Sequence, residues 1–339
     1  MIKSRYNKLL EVLIYTVIII LVIITVINLV VFNYSISDSD NNEKKVYHSY
    51  KYHFGMVYSN SSGNKWKEIY NAANEYAMQN DAYVEIIGEN IKQNYSKEDL
   101  FRIAMLSGVD GIIVEGDEKS DELNILINEA YESDIPVVTV MTDASESKRS
   151  SFVGLGSYDV GKQLGGQMIN LSKKNDETHV MVLMNSTNGY QEQHTMYQAI
   201  AESISAKDNI LVDTWLVSND NEFGVDEEVR DIILNLREEP DIMICLSDNI
   251  TESAYQQVVE YNKVSSIDII GLASSEIVYD AINKNLIDGV VSFDKKMMGN
   301  NIVDALLEYK NNGYVNEYYM VDTNLVTKSN VGRYLNNEE

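Results

Sequence analysis

The feature that most restricts the fold of this chain is an alternation that begins near residue 53. Short apolar runs recur at 54–58, 82–87, 110–114, 136–140, 179–184, 210–217, 241–246, 268–272 and 288–292. Between them lie amphipathic stretches of helical length, among them 64–79, 121–133, 157–173, 224–237, 249–262 and 296–311. Such alternation builds βαβ units and parallel sheets. The runs are mostly uninterrupted Val, Ile and Met, as expected of strands covered by helices on both faces. Nine such runs ask for more than one comfortable core. A polar break at 141–150 lies near the middle of the first long half. Two α/β lobes with a cleft between them satisfy these constraints. Ligands of open parallel sheets sit beyond the carboxyl ends of the strands. Here that means the loops after 58, 114, 140, 184, 246, 272 and 292.

The N-terminal part reads differently. Residues 12–32 are 21 positions without a charge, enough at about 1.5 Å per residue to cover a hydrocarbon core of about 30 Å. Lys3, Arg5 and Lys8 precede the run, and Asp38, Asp40 and Glu43 follow it. The positive-inside rule then gives a cytoplasmic tail 1–11, a single-pass anchor 12–32 in the cell membrane and an extracytoplasmic remainder. Residues 33–52, rich in Asn, Ser and Asp, read as a linker. The alternative is a cleaved signal peptide with Ser35-Ile36-Ser37 as its site. No cysteine follows the run, which excludes a lipoprotein anchor. Residues 1–34 are net positive, so of the chain's −25 the remainder carries −27. That charge repels phosphate backbones and argues against a nucleic-acid partner.

Motifs for chemistry are few. Gly156-Ser-Tyr-Asp-Val-Gly161-Lys162-Gln163 approaches a phosphate-binding loop, but Gln163 stands where a magnesium-ligating Ser or Thr is needed. The plain reading is a loop that opens a helix. His48, His53, His179 and His194 show no metal-ligand spacing. No zinc motif, nucleophile elbow or dinucleotide fingerprint is present, so neither a cofactor nor an enzyme is expected. Cys245, alone in Ile242-Met243-Ile244-Cys245-Leu246, reads as a buried thiol. Trp66, just after the first strand and its polar loop, either faces the cleft and stacks on a flat ligand or packs a helix.

Phe54-Gly-Met-Val-Tyr-Ser-Asn with Trp66 and Ala72-Ala73 resembles the opening strand and helix of type I periplasmic sugar-binding proteins. That family includes ribose- and xylose-binding proteins and the ligand domains of LacI-type repressors. Val109-Asp110-Gly111-Ile112-Ile113-Val114 and Ile135-Pro136-Val137-Val138-Thr139 resemble two of its strand motifs. Ser147-Lys148-Arg149 with Phe152-Val153-Gly154, Ile269-Ile270-Gly271, Asn285-Leu286-Ile287-Asp288-Gly289 and Leu325-Val326-Thr327-Lys328 continue the series in order.

The resemblance implies a two-lobed α/β fold, two doubly wound parallel sheets joined by a three-crossover hinge. It places lobe one at 53–155 plus 294–321 and lobe two at 156–293 plus 322–335. It also implies candidate ligand positions. Trp66 falls on one stacking aromatic, and Lys65 stands at its partner position. Met141 replaces the usual Asp, with Asp143 as the nearby substitute. Gln193 or His194 stands for an Arg, Ser247-Asp248 for an Asn-Asp pair, Ala273 for an Asp and Phe293 for a Gln. Losing several polar partners of buried hydroxyls, each worth about 1–3 kcal/mol, removes ordinary sugar affinity. The implied ligand is therefore a small molecule that differs from the family's usual sugars, or a monosaccharide held by other residues. Anchored relatives of this layout partner a membrane sensor histidine kinase. A permease is the second candidate partner, and a degenerate pocket used for protein docking is the third reading.

Overall fold

The computed structural model describes residues 49–58, 63–89, 95–173, 176–186, 189–218 and 222–335. The expected tail 1–11, anchor 12–32 and most of the linker 33–52 lie outside the described residues. Among the described residues no helix is long and apolar enough to cross a membrane.

The chain from Tyr50 onward forms a compact unit of its own. It builds two six-stranded sheets. The first holds β1 (Tyr52–Val57), β2 (Ala82–Ile86), β3 (Gly111–Glu115), β4 (Val137–Val140), β5 (Ser151–Leu155) and β11 (Tyr318–Val321), in the order β11-β5-β4-β3-β1-β2 and all parallel. The second holds β6 (Thr178–Asn185), β7 (Ile210–Val217), β8 (Ile242–Cys245), β9 (Asp268–Leu272), β10 (Gly289–Phe293) and β12 (Thr323–Val326). Its order is β12-β10-β9-β8-β6-β7, parallel except for β12 against β10. Each sheet thus repeats one winding, reversing direction beside its first strand, β1 and β6 respectively. The reversal is the switch point where doubly wound sheets bind ligands.

Helices α1 (Gly63–Gln79), α2 (Lys97–Leu106), α3 (Asp121–Glu132) and α9 (Lys295–Asn312) belong to the first lobe. Helices α4 (Ser157–Leu171), α5 (Tyr190–Ile204), α6 (Glu222–Leu234), α7 (Asp248–Glu260), α8 (Glu276–Asn283) and α10 (Gly332–Leu335) belong to the second. The chain changes sheet three times, after β5, after β10 and between β11 and β12. The second change is a sharp one: Asp294 caps α9 by accepting from the Met297 amide at 2.9 Å.

Local sequence explains the packing. On α1 the apolar stripe Trp66, Ile69, Ala73 and Ala77 is fully buried at helical spacing. Helix α9 lies on that helix, and a Cβ at Gly299 would stand 2.6 Å from the Ala73 amide nitrogen. One contiguous apolar cluster contains residues of both sheets, from Phe54 and Val140 to Val182 and Phe293. The polar stretch 141–150 is no boundary between lobes; it joins the adjacent strands β4 and β5. Gly161, from the stretch resembling a phosphate loop, lies inside α4 against α5, where its Cβ would meet the Met196 carbonyl at 2.3 Å. It serves helix packing. Cys245 is buried, and that burial pushes its thiol pKa up.

Candidate functional site

The loops that leave β1, β3 and β4 belong to one lobe, and those that leave β6, β8, β9 and β10 to the other. Among the described residues, direct contacts join the lobes there. Lys119, after β3, donates from Nζ to the Ser186 carbonyl at 2.7 Å, and its ammonium lies 4.7 Å from the centre of the Tyr190 ring. In the other direction Glu192, in the first turn of α5, accepts the Asp143 amide on Oε1 at 2.9 Å.

The β4 end shapes the second contact. Met141 sits at φ 66°, a left-handed conformation that non-glycine residues seldom adopt. The turn sends the Thr142 amide back to the Val140 carbonyl at 2.8 Å and brings the Thr142 carbonyl to the Gly116 amide at 3.0 Å. Asp143 follows with its amide facing Glu192. Its carboxylate faces the opposite way and is fully engaged. Arg149 grips it bidentately, with Nε on Oδ1 and Nη2 on Oδ2, the latter at 2.7 Å. Thr139 Oγ1 at 3.0 Å and the Ala144 amide at 2.7 Å also donate to Oδ1. The pair is buried, and the guanidinium also lies 4.9 Å from the Tyr318 ring centre.

The mouth of the cleft is acidic. Burial, followed by the charges of Glu192, Asp143, Asp117 and Glu146, pushes Glu118 up to about 7. Burial also raises the Glu192 carboxyl, opposed by the amides of Asp143 and of Glu192 itself. Oε2 of Glu192 is buried and has no hydrogen-bond partner among the described residues.

The remaining candidate positions fall into two groups. Trp66 is fully buried, stacked on Tyr58 with ring centres 5.7 Å apart, so its faces are not open to a cleft. Ala273 and Phe293 are buried in the apolar clusters of the core. The others are polar and mostly committed. Gln193 is buried and accepts the Asn185 amide at 2.7 Å, fastening α5 to the end of β6. Ser247 donates to Asn249 Oδ1 at 2.7 Å, and half-buried Asp248 opens α7. His194 stacks on Tyr190, with ring centres 5.9 Å apart. The expectation for the Lys65 side chain lies outside the described residues. A separate open hollow of about 550 Å³ lies between α2 and α3, lined by Met105, Ile125, Asn128, Glu129, Glu132 and Ser133. Its residues sit toward the carboxyl ends of those helices, away from the cleft loops.

Sequence reasoning missed Lys119, Tyr190, Glu192 and Glu118. Each is an ordinary surface residue type in an ordinary loop or first helical turn. Only the meeting of the two lobes makes them special.

Comparison with known proteins agrees with this architecture. The family of the periplasmic binding protein domain matches residues 54–313. A glucose-galactose binding protein, GanP from Geobacillus stearothermophilus, superposes with a TM-score of 0.71 at 21% identity, over 82% of this chain and 98% of GanP. XylFII in its complex with LytSN gives 0.69 at 22% identity, over 82% of this chain and 98% of that one. A periplasmic solute-binding protein of an ABC transporter from Actinobacillus succinogenes, solved with D-allose, gives 0.71 at 15% identity, over 84% and 100%. No curated protein matches the sequence.

Proposed function

The chain belongs to the periplasmic binding protein domain family, and from that premise we propose that it is a membrane-anchored extracytoplasmic receptor for a small, sugar-like ligand. Residues 12–32 anchor it, with the N-terminus in the cytoplasm. Ligand closes the two lobes, and a membrane sensor histidine kinase reads the closed state.

The observation that carries this reading is the pair of contacts across the cleft, Lys119 to Ser186 and Glu192 to Asp143. Both join elements of opposite lobes across the cleft, so both hold the lobes in the closed arrangement. A ligand that binds the closed form better shifts the population toward it. Asp143, Gln193 and Ser247 have intramolecular partners. In this reading the polar groups offered to the ligand are Lys119, Glu118 and Glu192, which stand where the two lobes meet. A tethered receptor does not diffuse, so it reports to a neighbour in the same membrane. The XylFII–LytSN complex supports this, since a protein of this fold docks there on a second protein. A permease is the second reading, favoured by the ABC-transporter origin of the D-allose-bound neighbour.

Purified residues 35–339 are expected to melt at a higher temperature with at least one of D-glucose, D-galactose, D-xylose, L-arabinose, D-ribose and D-allose. Ligand at about 100 times its Kd adds about 2.7 kcal/mol. Glu192→Gln is expected to reduce the shift. No shift across these sugars and a panel of nucleosides would favour the docking-module reading. Solubilised full-length chain should co-purify with a histidine kinase; permease subunits alone would decide for transport.

A further inference from the structure

The junction of the lobes brings together carboxylates that an open cleft holds apart. Glu192 belongs to α5 of the second lobe, and its Oε1 accepts the Asp143 amide of the first lobe at 2.9 Å. The approach is close: a Cβ on Gly189, the N-cap of α5, would stand 3.5 Å from Thr142 Oγ1 across the cleft. The charges of Asp143 and Glu115 act on Glu192 from the first lobe. Glu118, in the loop after β3, meets the charge of Glu192 first, then those of Asp143, Asp117 and Glu146. The cations here are already engaged. Arg149 holds Asp143, and Lys119 holds the Ser186 carbonyl and the Tyr190 ring. On α5 itself, His194 stacks on Tyr190.

Closing the lobes therefore takes water from two like charges at once. Oε2 of Glu192 is buried without a hydrogen-bond partner among the described residues. The first turn of α5 and two amides favour its ionised form, yet burial outweighs them. A protonated carboxyl is far cheaper to bury than a carboxylate, and it ends the repulsion across the junction.

We infer that closure takes up a proton from solvent at the Glu118–Glu192 junction, so that mild acidification closes the lobes with no ligand present. The inference rests on the opening and closing proposed above. Its sign follows from the two acids. In the closed arrangement Glu118 is pushed up to about 7 and Glu192 is raised, both chiefly by burial. Opening returns water to both and takes each out of the other's field. An acid raised in the closed form favours that form at low pH, and the preference is lost as pH climbs through the closed-state pKa. For Glu118 the window runs from 4.5 to about 7. Each pKa unit released on opening changes the closed-to-open ratio by about tenfold. Asp143, Asp117 and Glu146 stay beside Glu118 in either arrangement, so only part of its shift is released. The ratio is expected to rise about three- to tenfold between about pH 8 and about pH 5.5.

The test uses the full-length chain in detergent, spin-labelled through Leu106→Cys and Phe223→Cys, exposed positions on opposite lobes. The native Cys245 is buried and takes no label. Pulsed electron resonance without any sugar is expected to show the closed share rising by that factor on acidification. Glu192→Gln removes the charge but keeps an acceptor for the Asp143 amide, so it should be mostly closed at both pH values. Glu192→Ala removes the acceptor as well and should be mostly open at both. Glu118→Gln should lose most of the response. Asp288→Asn, at the end of β10 opposite the cleft loops, and His194→Gln should keep it. A closed share that ignores pH or falls on acidification overturns the inference. So does a response that survives in both Glu118→Gln and Glu192→Gln, or one that disappears in Asp288→Asn or His194→Gln. A sugar that closes the lobes equally at both pH values, with no effect of pH alone, sinks this inference and leaves the receptor reading intact. Closure by acid that no sugar alters does the reverse.

Discussion

Replacing Arg149 by methionine takes the guanidinium away from a carboxylate that cannot reach bulk water. The side chain of Asp143 is 11% exposed and that of Arg149 3%. After the change Oδ1 of Asp143 keeps the Thr139 hydroxyl and the Ala144 amide, while Oδ2 loses the Arg149 Nη2 donor that stood at 2.7 Å. Arg149 Nη1 also donates to the Glu317 carbonyl at 3.3 Å, so the mutation further loosens the approach to β11. Breaking one partner of a buried ion pair costs about 3–5 kcal/mol. Arg149→Met is expected to lower the unfolding free energy of the unit Tyr50–Glu339 by that amount, read by urea denaturation with circular dichroism at pH 7. Asp143→Asn is expected to cost a similar amount, because it leaves the buried guanidinium without a counter-charge and sets an amide NH2 against groups that donate. The double variant recovers about 2 kcal/mol relative to the sum, the signature of direct coupling. A loss under about 1 kcal/mol for Arg149→Met, or strict additivity, refutes the assignment of Asp143 to the loop. So does an Asp143→Asn variant of unchanged stability that has lost only its ligand response.

Other consequences can be measured alongside. Glu118 is raised from 4.5 to about 7 and Asp288 from 3.8 to about 6, both chiefly by burial. An acid raised in the folded state stabilises it at low pH, and that stability is lost as pH climbs through the folded pKa. Melting temperature should therefore fall between about pH 4 and 7; Glu118→Gln is expected to flatten the upper part of that decline and Asp288→Asn the lower. An unaltered profile in both variants contradicts the burial argument. Gly161→Leu forces side-chain atoms into the α4–α5 contact and should cost about 1–3 kcal/mol or more, measured by thermal melting, with no dependence on nucleotide. Trp66→Ala empties a fully buried site and should cost about 3–5 kcal/mol without ligand present; a variant as stable as wild type would return the tryptophan to the cleft.

The lobes were legible in the sequence because covered parallel strands are written as unbroken apolar runs. Residues 112–114 and 137–140 are buried without exception and could be read directly. Strand β5 has only Phe152, Val153 and Leu155 as apolar side chains, set among Ser151 and Gly154, while β11 and β12 are edge strands with exposed residues, so no comparable run marked any of them. Trp66 shows how position and periodicity compete. Its place after the first strand suggests a ligand aromatic, yet the spacing 66, 69, 73, 77 puts it on the stripe that faces the sheet. Asp143 could be located as an acid near the cleft, but its partner lies six residues on, across a loop whose path no local pattern dictates. The contacts of Lys119 and Glu192 were least legible, since each depends on how two separately folded lobes meet.

The most direct test of ligand-driven closure is the distance between the lobes in the full-length chain. Leu106 of the first lobe is 88% exposed and Phe223 of the second is 80% exposed, so cysteines there accept spin labels without disturbing a core. Pulsed electron resonance is expected to show open and closed populations. At least one of D-glucose, D-galactose, D-xylose, L-arabinose, D-ribose and D-allose should shift the balance to the shorter distance, and Lys119→Ala or Glu192→Gln should weaken the shift. A single distance that no sugar moves, identical in both variants, contradicts the account.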